Sequence, residues 1–186
     1  MKIFNIADFL ANLDSAGLAK TSHFKVVITR PGGGSAGDSI DLAFRCEASE
    51  LPGRAIYTHD DMIWGIARKN PYGSSVQEIT LTFICSEDYW EKNYFESWMD
   101  DIVGPYRNGD IHEDMYAIGY YKEIVGTVLI DCYSETGEIT YTVELRDAYP
   151  IAIGNIQLHW HDGSQISRLP VQFNFRYYVN ETETGS

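Results

Sequence analysis

The segment LHWHDGS, residues 158–164, holds the side chains of this sequence that are best suited to chemistry. His159 and His161 are two residues apart, and Asp162 follows directly. Imidazole and carboxylate groups are good zinc ligands. Residues i and i+2 of a strand point to the same face, so two histidines at this spacing can bind one metal ion together. The segment is therefore a candidate metal site and, through it, a candidate active site.

The same segment is also typical of a turn between two strands. Asp162 and Gly163 form an Asp–Gly pair between two strand-like runs, which is a strong signal for a β-hairpin. In this interpretation His159 and His161 are exposed at the end of a strand and Trp160 faces inward. We predict the turn, and we keep the two histidines and the aspartate as weak candidates for a metal site.

Other motifs that carry chemistry are missing or lie in the wrong context. The glycine-rich loop at residues 32–37 fits the spacings GxGxxG and GxSxG, but it lies in a predicted hairpin loop with no helix after it to hold a phosphate or a nucleophile, and the sequence contains no HExxH zinc motif. Its three cysteines, Cys46, Cys85 and Cys132, form no CxxC pair and lie in apolar runs. They are therefore expected to be reduced, buried thiols of a protein made in a cytoplasm. We predict no cofactor.

The composition restricts the classes of protein to which the chain can belong. With 186 residues and 44% hydrophobic residues, it is long enough for one domain with its own core. Its formal net charge of −13 makes it a poor ligand for nucleic-acid phosphates, although nucleic acid can pass along an acidic surface without being held. Without a signal-peptide pattern or a run of about 18 apolar residues, we expect a soluble, non-secreted protein that enters no membrane.

Apolar and polar residues alternate along most of the chain, which predicts one α+β domain over residues 1–186 with mainly antiparallel strands. A short helix is expected within residues 1–17, and residues 180–186 are expected to be a frayed tail. The expected strands are 24–29, 40–46, 76–85, 123–133, 138–148, 152–160 and 168–179.

One central helix is expected over residues 87–103. Ser86 would cap it, and Glu87 and Asp88 would lie in its first turn, where the helix dipole favours acidic side chains. Its apolar stripe is formed by Phe95, Trp98, Met99 and Ile102, with Tyr94 beside it.

Residues 54–75 are less regular and predict an extended arm or long hairpin. Four large apolar residues, Met62, Ile63, Trp64 and Ile66, lie close together in it. A segment of this kind has little core of its own, so its apolar side chains require a partner surface. These four residues are our candidates for an interface between subunits.

The order of these elements resembles the tail tube protein family of T4-like contractile-tailed bacteriophages. The resemblance runs from about residue 18 to residue 179. It includes the turn CEASELPGR, the strand and helix in VQEITLTFICSEDYWEKNYFESWMDDI, and the C-terminal segment YTVELRDAYPIAIGNIQLHWHDGSQISRLPVQFNFRYY. In that last segment the resemblance implies a strand, an aromatic–proline turn, a second strand, an acidic turn and a final strand.

The resemblance implies a β-sandwich or small barrel with one helix that forms hexameric rings. The rings would stack into a hollow tube inside a contractile sheath, with neighbouring subunits pairing strands into one continuous β-barrel. The implied partners are copies of the chain itself, sheath and baseplate proteins, and a tape-measure protein and DNA held loosely in the channel. The implied location is the virion tail, assembled in the host cytoplasm, and no enzymatic activity is expected.

Polar faces of two predicted strands are candidates for lining this channel, because an acidic wall would repel DNA phosphates and let DNA slide. Ordinary solvent exposure explains the same pattern and remains open. The candidates are Glu78, Thr80, Thr82, Glu138, Thr140, Thr142 and Glu144.

Two further functions remain open at this point. The chain could be a baseplate protein that initiates the tube or the tube protein of a type VI-like injection device, since those proteins share the architecture. A different class of function is a small metal-dependent enzyme or ligand-binding β-sandwich that uses His159, His161 and Asp162.

Overall fold

A computed structural model describes residues 21–31, 42–62, 65–104, 106–107, 110–111, 117–158, 160 and 166–181. Its longer strands are β1 (Phe24–Thr29), β2 (Cys46–Ser49), β3 (Arg54–Asp61), β4 (Arg68–Val76), β5 (Ile79–Ile84), β10 (Gly126–Tyr133), β11 (Ile139–Ile153), β12 (Arg168–Asn174) and β13 (Tyr177–Asn180). The two-residue strands are β6 (Val103–Gly104), β7 (Tyr106–Arg107), β8 (Asp110–Ile111) and β9 (Ala117–Ile118). The helices are α1 (Trp90–Ile102) and α2 (Tyr121–Ile124).

Two antiparallel sheets share the long strand β11. The first sheet has the order β1-β10-β11-β13, and the second has the order β11-β12-β5-β2. Strand β11 pairs with β10 as far as Ala148, and its last residues, Tyr149–Ile153, pair with β12. Asp147, at φ 55°, lies where β11 passes from one sheet to the other. Aspartate tolerates this left-handed conformation better than most residues, so it suits a bend in a long strand.

The two sheets and α1 enclose one hydrophobic core. Alternate residues of the strands point into it, as the alternating sequence pattern requires. From α1, Phe95 and Trp98 are fully buried, and the indole N–H of Trp98 donates to the carbonyl of Ile124 at 2.9 Å. The prediction of a mainly antiparallel α+β fold with one central helix is confirmed. The strand residues of the core are Val26, Ile28, Ile79, Leu81, Phe83, Val128, Ile130, Val143, Leu145, Ala148, Leu169, Val171 and Phe173.

The expected strand at 40–46 is wrong in its described part. The four residues before Cys46 form a helical turn, and the strand begins only at Cys46. Leu42 and Ala43 are buried, and Arg45 reaches a buried carboxylate at the start of α1, Glu91. These tertiary contacts outweigh the local preference for a strand.

The expected start of the central helix is also wrong. Helix α1 begins at Trp90 after Tyr89, which has φ 52°, and no side chain caps it. The backbone N–H and the hydroxyl of Ser86 both donate to Oε2 of Glu91 at 2.9 Å. A buried carboxylate needs such donors, so Ser86 serves Glu91 instead of capping a helix at residue 87.

The C-terminal strands differ from prediction because β11 does not end at Pro150. It continues to Ile153 across a bulge between Pro150 and Ala152, so there is no aromatic–proline turn. Residues 154–158 are not a strand, and Trp160 is fully exposed where we expected it to face inward. Proline is tolerated here because β10 ends opposite Ala148, which leaves one side of β11 unpaired in the described part of the chain.

Two smaller differences concern strand limits. The strand expected at 123–133 begins at Gly126, because residues 121–124 form the helical turn α2. The strand expected at 168–179 is divided into β12 and β13 opposite the bend in β11. Residues 134–137 form the hairpin turn between β10 and β11, with Gly137 at φ 83° and its N–H donating to the carbonyl of Ser134.

The expected N-terminal helix, the glycine-rich loop and the last five residues of the expected tail lie outside the described residues. Among the helices that the structure does describe, none is long and apolar enough to cross a membrane.

Candidate functional site and assembly surfaces

Strands β3 and β4 form a hairpin that extends the second sheet. They pair from Arg54 opposite Val76 to Asp61 opposite Arg68. At their base, the N–H of Gln77 donates to the carbonyl of Gly53 at 3.1 Å, which joins this ladder to that of β2 and β5. The two ladders therefore form one long hairpin, of which residues 54–76, hereafter the arm, project beyond the core.

Most of the arm is exposed, including its large apolar side chains. Ile66 near the tip is 93% exposed, and Met62 is also exposed. An isolated two-stranded hairpin is marginally stable in water, so a surface of this kind is typical of a contact with another protein. Ile63 and Trp64, the other predicted interface residues, lie outside the described part of the chain.

One face of the arm carries an aromatic cluster that the sequence analysis missed. The rings of Tyr57 and Tyr72 are stacked with centroids 6.1 Å apart, and His59 lies edge-on to Tyr72 at 6.3 Å. The i, i+2 spacing of Tyr57 and His59 in the sequence predicts that both lie on one face of a strand. Only the register between β3 and β4 shows that Tyr72 lies beside them. A bulge next to Thr58 sets that register.

The arm differs in charge from the rest of the chain. Asp60 lies opposite Lys69 and Asp61 opposite Arg68, and Arg54 lies at the base. With three basic and two acidic side chains, residues 54–76 carry a formal charge of +1 in a chain of −13. The arm is therefore a surface that can approach another copy of this acidic protein without strong repulsion.

The residues predicted to line a channel lie on two different sheets. Thr80 and Thr82 are on the outer face of β5 in the second sheet, next to Glu78. Thr142 and Glu144 are on the outer face of β11 in the first sheet, where Thr140 and Glu138 precede them. Because both sheets cover the same core, their outer faces point in different directions, and the structure does not bring the two sets together.

The outer face of the second sheet is polar and rich in hydrogen bonds. Gln172 donates to the carboxylate of Glu78 at 2.7 Å, and the N–H of Thr80 donates to Glu50 at 3.0 Å. Arg168 donates to Glu47 at 2.9 Å, and this hydrogen bond lowers the pKa of the Glu47 carboxyl group. This network of polar side chains suits contact with water.

The outer face of the first sheet is more mixed. The hydroxyl of Thr142 donates to Asp131 at 2.8 Å, and Asp131 is buried although it points away from the core. Half-buried Val27 and Leu129 lie opposite each other on the same face. This face suits contact with protein better than contact with open water.

The candidates for a metal site, His159, His161 and Asp162, lie outside the described residues, so the metal site stays a prediction. Within the described ranges, no three His, Cys, Asp or Glu side chains are grouped so that they could hold a metal ion. Burial raises the pKa of the Cys46 thiol to about 12, so this thiol is protonated and a poor nucleophile at neutral pH.

Comparisons with solved structures identify the fold. The chain is similar to a chain of the anti-feeding prophage baseplate, with a TM-score of 0.62 and 10% identity over 88% of this chain and 95% of that one. A chain of the PVC sheath–tube complex in its extended state matches with a TM-score of 0.59 and 11% identity, over 91% and 95%. A chain of the anti-feeding prophage tube-terminating cap matches with a TM-score of 0.59 and 13% identity, over 88% and 91%.

The sequence comparisons agree with this fold. No curated protein matches the chain significantly in sequence. The family model described as phage tail tube protein, however, matches residues 19–181, which is most of the chain. The protein therefore belongs to the phage tail tube protein family.

Proposed function

We propose that the chain is the structural subunit of a contractile tail tube and assembles into stacked hexameric rings around a channel for DNA. The exposed apolar arm is the observation that carries this proposal. Its apolar side chains need a protein partner, and in a tube other copies of the chain are that partner. The similar anti-feeding prophage baseplate chain comes from a 6-fold symmetrised assembly, which supports six subunits in a ring.

Open strand edges support closure into a ring. In the described part of the chain, β1 pairs only with β10 and β2 pairs only with β5, so each has one unpaired side. Such edges promote pairing with another chain, and a closed ring removes them. Neighbouring subunits would thereby join their sheets into one continuous barrel.

The channel wall in this proposal is the outer face of the second sheet, with Glu78, Thr80 and Thr82. This face is the more polar of the two, and its carboxylates would repel DNA phosphates. The outer face of the first sheet would then contact protein or form the outside of the tube. The candidates on that face are Glu138, Thr140, Thr142 and Glu144.

The remaining partners and the location follow from the tube assignment. We expect contacts with sheath and baseplate proteins outside the tube, and loose contact with a tape-measure protein and DNA inside it. The PVC relative is a sheath–tube complex, which supports the sheath contact. The protein would belong to the virion tail, be assembled in the host cytoplasm and have no enzymatic role.

A second candidate function is that of a baseplate tube initiator or of a tube protein in another injection device. The similarity to an anti-feeding prophage baseplate chain favours it, at a TM-score slightly above those of the tube and cap chains. The metal-dependent enzyme has no support among the described residues.

Size-exclusion chromatography with light scattering tests both candidates. A tube protein is expected to elute as rings and longer polymers whose mass rises with protein concentration. An initiator is expected to stop at a single ring. Elution of the wild-type protein as a monomer at all concentrations would contradict both.

A further inference from the structure

The arm is joined to the core through an incomplete hydrogen-bond ladder. Strand β2 pairs with β5 as far as Ser49 opposite Leu81, and the paired part of the arm starts with Arg54 opposite Val76. The two strands run side by side between these pairs. In a regular antiparallel ladder, backbone hydrogen bonds recur all along such a stretch.

Most of those hydrogen bonds are missing at the base of the arm. The bond from Gln77 to Gly53, at 3.1 Å, is present next to the arm. Residues 50–52 and 78–80 are all described, and no backbone hydrogen bond joins these two segments. Pro52 has no N–H to donate. The ladder is therefore broken across three residues of each strand, where the arm leaves the core.

The side chain of Glu50 spans this break. The backbone N–H of Thr80 donates to Oε2 of Glu50 at 3.0 Å. In an unbroken ladder a backbone carbonyl of the neighbouring strand accepts such an N–H, so the carboxylate takes the place of a carbonyl. Glu50 is exposed, and packing therefore contributes little to this contact.

Most side chains at the base of the arm are exposed. Val76 packs on the edge of the core, but Gln77 and Glu78 after it are exposed, and Leu51 is 53% exposed. The carboxylate of Glu78 accepts a hydrogen bond from Gln172 of β12, so it does not hold the strand opposite. A base with so little buried surface can bend at a low cost in free energy.

We propose that Glu50 is a positioning residue that fixes the direction of the arm relative to the core. Its hydrogen bond to Thr80 keeps the two strands together across the break, so the arm continues the second sheet instead of bending at its base. Without this carboxylate the break becomes a hinge of a few residues between two folded parts. The hinge is a property of the single protomer, and its consequence for assembly, a slower growth of tubes, rests on the proposed function.

Fluorescence anisotropy decay of a dye near the tip of the arm tests this role. A maleimide dye is attached at Ile66→Cys, where the native side chain is 93% exposed, and the protein is measured dilute, before assembly. Adding Glu50→Ala should increase the amplitude of the nanosecond motion of the arm at least about twofold, because a bond across the base is lost. Glu50→Gln should keep the wild-type amplitude, since the amide oxygen of glutamine accepts the same N–H.

Two controls accompany this measurement. Glu47→Ala removes a carboxylate of the same strand that binds the side chain of Arg168 instead of the backbone at the break, so it should leave the motion of the arm unchanged. Wild-type protein treated with the same dye controls for labelling of the three native cysteines.

Hydrogen exchange of the Thr80 amide tests the contact itself. Loss of the acceptor in Glu50→Ala should speed the exchange of this amide about three- to tenfold, which is the factor expected for one net hydrogen bond. The midpoint of urea unfolding should change no more in Glu50→Ala than in Glu47→Ala, because a positioning residue acts on the arm and not on the core.

Three results would overturn the proposal. These are unchanged arm motion in Glu50→Ala, unchanged exchange of the Thr80 amide, and an increase in motion that Glu50→Gln shows as well. A fall of the urea midpoint in Glu50→Ala well beyond that in Glu47→Ala would also overturn it, since Glu50 would then support the whole fold. All of these measurements use dilute protomers, so a failure of the wild-type protein to form rings would contradict the proposed function and leave the hinge in place.

Discussion

At the scale of single residues, the fold depends on polar groups that the sequence pattern did not identify as structural. The carboxylate of Glu91 is fully buried and accepts two hydrogen bonds from Ser86. Arg45 lies 2.9 Å away and contributes charge without an aligned hydrogen bond. This cluster links the helical turn before β2 to the first turn of α1. A run of acidic residues on a helix gives no sign of which one is buried, so sequence alone could not find it.

Replacing Glu91 by alanine should destabilise the protein markedly. The change leaves the half-buried donors of Ser86 and the guanidinium of Arg45 without their acceptor, which costs about 2 kcal/mol. Glu96→Ala on the same helix is the matched control, because Glu96 is exposed and its ion pair in the described part of the chain is the one with Lys92, a contact worth at most about 0.5 kcal/mol. Urea unfolding of the two variants measures the difference, and equal midpoints would show that the Glu91 cluster is not structural.

The partly buried thiols give a second prediction at this scale. Burial raises the pKa of Cys46 from its ordinary value of 9.0 to about 12, and the pKa of the less buried Cys132 is also raised by burial. Alkylation requires the thiolate, so at pH 8.5 iodoacetamide should label Cys46 more slowly than Cys132, and urea should remove the difference. Mass spectrometry of the labelled peptides measures both rates.

The raised pKa of Cys46 also determines how the free energy of unfolding changes with pH. From pH 9 towards pH 12 the unfolded chain loses the Cys46 proton before the folded protein does, so stability falls across that window. Labelling of Cys46 as fast as Cys132 in the folded protein would contradict the burial on which both statements rest.

At the scale of elements, strands with strict alternation were predictable and bends were not. Ile79, Leu81 and Phe83 alternate with exposed or half-buried residues, and the sequence places β5 almost correctly. The sequence predicts a strand that ends at Ala148, before a turn at Tyr149 and Pro150, but β11 continues past Pro150 because the strand has one unpaired side there in the described part of the chain. The register between strands is a property of the whole sheet and cannot be predicted from one strand. The sequence therefore did not predict the aromatic cluster on the arm or the separation of the two polar faces.

The choice of channel wall is testable at this scale. In assembled tubes, a cysteine at Thr82 would point into the channel and one at Thr140 would not. A small maleimide should label both Thr82→Cys and Thr140→Cys, whereas a bulky polyethylene glycol maleimide should label only Thr140→Cys, since it enters a channel slowly. Gel shifts after timed labelling measure this, and protection of Thr140→Cys instead of Thr82→Cys would assign the channel to the first sheet.

At the scale of the whole molecule, surfaces that are unfavourable for a monomer make sense in a polymer. The arm exposes apolar side chains without a core, and Leu158, Trp160 and Ile166 are exposed before β12. Two strands leave unpaired edges in the described part of the chain. A high net negative charge keeps such a protein soluble, and the slightly basic arm provides a place of contact. The order of the elements and its resemblance to a known family were enough to indicate the family, and the irregular pattern of residues 54–75 indicated the arm, whereas the aromatic cluster on the arm required the three-dimensional structure.

Electron microscopy of the purified wild-type protein at rising concentration tests the central claim most directly. The account predicts rings with a central channel at low concentration and stacked tubes at high concentration. Particles that remain single protomers across the whole range would contradict it.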